Sequence, residues 1–85
     1  MDTIRIIGAR ITNRLKDVGE VQDILTRYGC AIKTRLGLHE ADESGDSQGG
    51  LLILELTGDL AEMDNFESAL EQVEGVIVRR MDFPK

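Results

Sequence analysis

The residues of this chain best suited to hold a ligand are basic side chains set among aliphatic ones. Lys33 and Arg35 fall on one parity of a strand predicted over residues 30–38. Arg79 in the last predicted strand and Arg10 in the first can share that sheet face. An arginine fork binds carboxylate or phosphate bidentately, so such a face suits a small anionic ligand. It suits salt bridges between subunits as well. Gly37 stands two residues past Arg35, where a missing side chain lets a backbone or ligand approach closely. Arg35, Gly37, Lys33 and Arg79 are therefore the candidate ligand-binding residues.

Other chemistries find little support. His39 is the only histidine and ends the predicted second strand beside Glu40, so it is a weak candidate for a metal shared between subunits and otherwise an exposed hairpin residue. No resident metal or cofactor is expected. Cys30 is the only cysteine. It shares parity with Ile32, Leu36 and Leu38, which predicts a small buried hydrophobe, and basic neighbours that would make a reactive thiolate are not evident. Gly49-Gly50 lacks the lysine and the following helix of a phosphate loop. The predicted sheet offers no aromatic platform for stacked bases apart from Phe83. With no nucleophile or acid–base constellation, the chain is not expected to be an enzyme.

These residues must be positioned by a pattern that occurs twice: apolar strand, amphipathic helix, glycine, apolar strand. The first copy covers residues 4–12, 15–28, Gly29 and 30–38, and the second covers 51–57, 60–74, Gly75 and 76–81. In the first helix Leu15, Val18, Val21, Ile24, Leu25 and Tyr28 make one stripe, and Gly19 interrupts its start. In the second, Leu60, Met63, Phe66, Leu70 and Val73 repeat at three and four, with Asp59 and Glu62 spaced as a capping box. Its outer face, Glu62, Asp64, Glu67, Glu71 and Glu74, reads as solvated acid. Gly29 and Gly75 each suit the left-handed position past a helix end. Two βαβ units in series predict a single α+β domain over residues 1–85. The expected fold is ferredoxin-like βαββαβ, with a four-stranded antiparallel sheet in the order 4-1-3-2 and both helices on one face.

The first and third strands are apolar on both parities, so neither sheet face reads as wholly solvated. Ile4, Ile6, Leu51, Ile53, Ile77 and Met81 can line the face away from the helices, and a continuous patch of that kind marks an interface. A homodimer is expected, sheet to sheet or edge to edge, with a tetramer of two dimers as the larger form. The segment 40–50 is polar, acidic and glycine-rich, and is expected to be the most mobile internal stretch.

Composition narrows the partners. The chain has 85 residues and a formal net charge of −6, which weighs against direct binding to nucleic acid or to an anionic membrane. No apolar run approaches the roughly 20 residues of a membrane span. The start enters a strand almost at once, which predicts no signal peptide. A single cysteine cannot form an intrachain disulfide and suits a reducing cytoplasm.

The stretch Leu25-Thr26-Arg27-Tyr28-Gly29, then Ile32, then Arg35-Leu36-Gly37-Leu38, resembles the regulators of the iron-only hydrogenase system, whose helix end reads L-x-x-Y-G before an R-[ML]-G-[LI] strand. Leu51-Leu52-Ile53-Leu54-Glu55-Leu56, Leu70 and Val73-Glu74-Gly75-Val76 fit the same pattern in the second half. That family is similar in fold to ACT domains and to the C-terminal domain of nickel-responsive repressors. The resemblance implies a small regulatory or sensing module that assembles through its sheet. It would bind a small anionic effector or a protein partner at an intersubunit surface. The alternative is a purely structural interaction subunit without a ligand.

Overall fold

The computed structural model describes residues 3–12, 14–39 and 50–85. Its elements run β1 (Thr3–Ile11), α1 (Arg14–Arg27), a 3-10 turn (Gly29–Ala31), β2 (Ile32–His39), β3 (Gly50–Leu56), α2 (Leu60–Glu71) and β4 (Val76–Pro84). The strands form one sheet in the order β2-β3-β1-β4, with every neighbouring pair antiparallel. This is the expected ferredoxin-like topology, read from the other edge. The long acidic segment expected between the units falls outside the described residues, apart from Gly50, which opens β3.

The core lies between the helices and one face of the sheet. Ile7 and Ile11 of β1 and Leu54 and Leu56 of β3 meet Val21, Ile24 and Leu25 of α1 and Met63, Phe66 and Leu70 of α2. Tyr28 closes the end of α1 by packing on Phe66, with ring centroids 5.4 Å apart and tilted 58°. The helical stripes at three and four residues are what deliver these side chains to one side. Asp59 caps α2 as expected, its Oδ1 accepting from the Glu62 backbone N–H at 2.8 Å.

The two glycines placed alike in the sequence behave differently. Gly75 takes a left-handed φ of +87°, and its carbonyl accepts from both the N–H and the hydroxyl of Thr12, at 2.8 and 2.7 Å. Gly29 does not take a positive φ. The chain turns instead through a 3-10 segment, Ala31 donating to the Tyr28 carbonyl at 2.9 Å. The second strand therefore starts at Ile32 and not at Cys30, and Cys30 is exposed on the turn, not buried in the strand. At the other end, β4 runs three residues past its expected limit. Its extension pairs with β1 from Arg5↔Asp82 to Thr3↔Pro84 and is fixed by an ion pair described below.

Candidate functional site

Directly paired residues in a ladder share a face of the sheet. Carrying the register outward from buried Ile7, Ala9, Leu54 and Leu56 sorts every strand. The six residues expected on the face away from the helices, Ile4, Ile6, Leu51, Ile53, Ile77 and Met81, all lie there, and Leu36 and Phe83 join them. Four of these stay well exposed: Leu36 by 52%, Ile77 by 46%, Met81 by 57% and Phe83 by 48%. Gly8 sits amid this open face, between Ile53 of β3 and Arg79 of β4.

The candidate basic residues do not gather on one surface. A bulge between Ile32 and Thr34 breaks the parity of β2. Beyond it Arg35 pairs with Leu54 and so points to the helix side, where its Nη2 donates to Gln22 Oε1 of α1 at 3.2 Å. Gly37 pairs with Leu52 on the same side. Lys33 is the extra residue of the bulge, and its Nζ lies 3.9 Å from Glu55 Oε2 on the open side. Arg79 and Arg10 share the open face, and Arg79 donates to the carbonyl of its neighbour Val78 at 2.8 Å. The expected single basic face is thus corrected. Arg35 and Gly37 flank the helices on the β2 edge, while Arg79 lies on the opposite face at the β4 edge. A bulge leaves no mark in the residue pattern, so the parity count carried one residue too far.

Lys33 lines a pocket of about 270 Å³ at the end of the sheet, with Thr3, Glu55, Thr57 and Lys85 among its walls. His39 ends β2 opposite Gly50. Among the described residues no group of three His, Cys, Asp or Glu side chains could hold a metal ion.

A charged cluster on the helix side is the feature that sequence reasoning missed. Arg5 is only 3% exposed although its side chain is cationic. Its Nε and Nη2 grip Asp82 of β4 at 2.7 and 3.1 Å, and its Nη1 donates to Asp64 of α2 at 2.7 Å. Glu67 stands 3.6 Å away, and Arg80 adds a second cation 3.3 Å from Glu67 and 3.8 Å from Asp64. Two of the acids expected to be merely solvated on α2 therefore clamp that helix to the sheet. The hydrogen bonds to Asp82 raise the Arg5 guanidinium pKa further above its ordinary value, against the effect of burial. The same bonds, with the charges of Arg5 and Arg80, hold the Asp82 carboxyl below the usual carboxylate range. The signal was available: Arg5 shares parity with Ile7, Ala9 and Ile11, so a charge sits in the buried register of a central strand.

No family model and no curated protein matches this chain. Solved structures match it through the fold. The uncharacterized protein TM1266 from Thermotoga maritima is 20% identical, with a TM-score of 0.83 over 98% of this chain and 100% of that one. CPII from Thiomonas intermedia K12, a nitrogen regulatory PII-like protein, is 15% identical in its apo form, with a TM-score of 0.58 over 95% of this chain and 89% of that one. A structure of CPII bound to ADP, AMP and bicarbonate gives 16% identity and a TM-score of 0.52 over 98% and 92% of the two chains. Among the described residues, no helix is long and apolar enough to cross a membrane.

Proposed function

We propose that this chain is a non-enzymatic regulatory or sensing module. It works in the cytoplasm as a homo-oligomer, and binds a small anionic effector or a protein partner at a surface between subunits. The observation that carries this reading is the open sheet face, where eight apolar side chains surround Gly8 and four of them stay about half exposed. A monomeric domain has no use for such a face, and an assembling one does. The PII-like relative in fold supports a regulatory reading, and the ADP, AMP and bicarbonate it holds are all anions. The resemblance of residues 25–38 to regulators of the iron-only hydrogenase system supports that system as the one regulated.

Arg35, Gly37, Lys33 and Arg79 remain the proposed ligand residues. Arg35 and Arg79 occupy opposite faces at opposite edges, so one ligand touches both only across two subunits. The second reading, a structural interaction subunit without a ligand, draws on the Arg35–Gln22 bond, which already occupies part of that guanidinium.

Calorimetric titration with ADP, AMP, bicarbonate and inorganic phosphate, on the native protein and on Arg35→Ala, tests the reading. Losing a charged donor costs about 1.5–3 kcal/mol, or roughly 10- to 150-fold in affinity. That loss is expected without a change in oligomeric state. Unchanged affinity with weakened assembly removes Arg35 as a ligand residue and favours the interaction subunit. Failure of every probe to bind removes the anionic effector.

A further inference from the structure

We infer that the pocket at the end of the sheet is a site for a small dicarboxylate, held by the ammonium groups of Lys33 and Lys85. It shares an anionic ligand and Lys33 with the reading above. Its walls come from one chain, however, so the site is complete without a second subunit.

The bulge in β2 is the first argument. Ile32 pairs with Leu56 and Thr34 with Glu55, which leaves Lys33 as the extra residue between them. Bulges bend a strand and re-aim a side chain, and they gather beside functional sites. Regular pairing would set Lys33 across from Glu55. The bulge gives that place to Thr34, whose hydroxyl donates to Glu55 Oε1 at 2.9 Å, and leaves Lys33 on the pocket wall. Lys33 Nζ stands 3.9 Å from Glu55 Oε2, beyond hydrogen-bond length. Its donors are therefore not spent on Glu55.

Charge is the second argument. The chain carries a formal net charge of −6, yet the charged side chains lining this pocket are two lysines and one glutamate. Lys85 makes no ion pair or hydrogen bond among the described residues. A cleft with an excess of one sign concentrates ligands of the other.

Shape is the third. The Thr57 N–H donates to the Ala31 carbonyl at 2.8 Å, which ties the end of β3 to the turn before β2 and fixes this wall before any ligand arrives. Gly58 follows at a φ of +103°, and no heavy atom lies within 4 Å of where its Cβ would stand. That wall is bare backbone, open to close approach. Ile4 and Leu56 supply aliphatic surface. A volume of about 270 Å³ lies below the ~300 Å³ at which pockets for drug-sized ligands begin. It suits a short acid, its carbon chain along the aliphatic side and its carboxylates at the lysines.

NMR titration of the ¹⁵N-labelled full chain with succinate tests the inference. Succinamide, which is neutral, and 1,4-diaminobutane, which is cationic, serve as probes of the same carbon-chain length. Lys33 and Lys85 are exposed, so alanine at either position should leave the fold intact, and the spectrum verifies it. Saturable shifts are expected at the Lys33, Thr57 and Gly58 amides with succinate and with neither other probe. Lys33→Ala and Lys85→Ala should each weaken succinate about 10-fold. Glu55→Gln removes the competing charge, keeps an acceptor for Thr34, and should tighten it. A purely structural role for these residues predicts no such opposite signs. Binding of the diamine or the diamide as tight as that of succinate overturns the inference. So does a succinate affinity unmoved by both lysine variants, or weakened by Glu55→Gln. Loss of succinate in Arg35→Ala, with both lysine variants unchanged, overturns it and leaves the intersubunit reading standing. Absence of any saturable shift with succinate overturns this site alone, because the nucleotide and bicarbonate titrations above decide the other reading separately.

Discussion

Replacing Arg5 by methionine keeps most of its volume and removes its charge. Three hydrogen bonds go with it, two to Asp82 and one to Asp64. Taken singly, each charge-assisted bond is worth about 1.5–3 kcal/mol, which sums to at most roughly 9. Much of that is recovered. The side chains of Asp64 and Asp82 are 61% and 37% exposed and regain water when the guanidinium leaves. Arg80 still stands 3.3 Å from Glu67. What remains is about 3 kcal/mol, the lower end of what breaking a buried pair costs. Against a total stability of roughly 5–10 kcal/mol for a domain of this size, that is a large share. It corresponds to a fall in melting temperature of about 12–24 °C. Urea unfolding followed by far-UV circular dichroism, at one fixed protein concentration because assembly shifts apparent stability, measures it. Arg5→Lys keeps the charge and loses the fork, so its cost should fall between native and methionine. A methionine variant within ~0.5 kcal/mol of native would mean that the cluster is a surface decoration and that α2 is held by Met63, Phe66 and Leu70 alone.

Two further outcomes follow from the same geometry. The Asp82 carboxyl sits below its ordinary pKa of about 3.9, so its stabilising effect is complete above that value and fades as pH falls through the lowered one. The stability gap between native protein and Asp82→Asn should be widest near neutrality and close below about pH 4; a gap independent of pH would remove the ion pair as its source. Gly75→Ala, at φ +87°, should cost about 1–2 kcal/mol, whereas Gly29→Ala, with nothing within 4 Å of the added Cβ, should be neutral or slightly stabilising. Equal losses in the two thermal melts would show that the first helix also ends through its glycine.

The elements were legible where one physical signal dominated. β1 and β3 read as central strands because both parities are apolar, and a strand with neither face in water needs that. α2 read cleanly at its start, where cap and stripe coincide at Asp59 and Leu60, but it ends at Glu71, three residues short of the expected limit before the left-handed Gly75. Trouble came where two signals competed. After Tyr28 the residues Gly29-Cys30-Ala31 fit a left-handed stop followed by a strand, yet the chain winds one 3-10 turn first. That single turn moved the start of β2 and exposed Cys30. The bulge after Ile32 then turned Arg35 to the helix side. The end of β4 was unreadable from its own residues, because Asp82 and Pro84, both depleted in strands, flank the one strand-favouring residue, Phe83. Its order is set from a distance by Arg5, 77 residues away in the chain.

Arg5 and Arg79 show why candidate sites are harder to read than folds. Both are arginines in the same sheet, on adjacent strands, and residue type alone makes each an equal anion binder. The register separates them. Arg5 falls in the parity of Ile7 and Leu54, under α2, and its fork is used up by Asp82 and Asp64 before any ligand arrives. Arg79 falls opposite Gly8, on the face the helices leave open, and among the described residues its side chain bonds only the Val78 carbonyl of its own strand. A carboxylate presented from outside the chain can compete for that contact, because a charged acceptor outbids a neutral one. It cannot compete for Arg5 without pulling β4 from β1. Charge available for recognition is the charge that folding leaves over, and in a strand a shift of one residue decides on which side of that line an arginine stands.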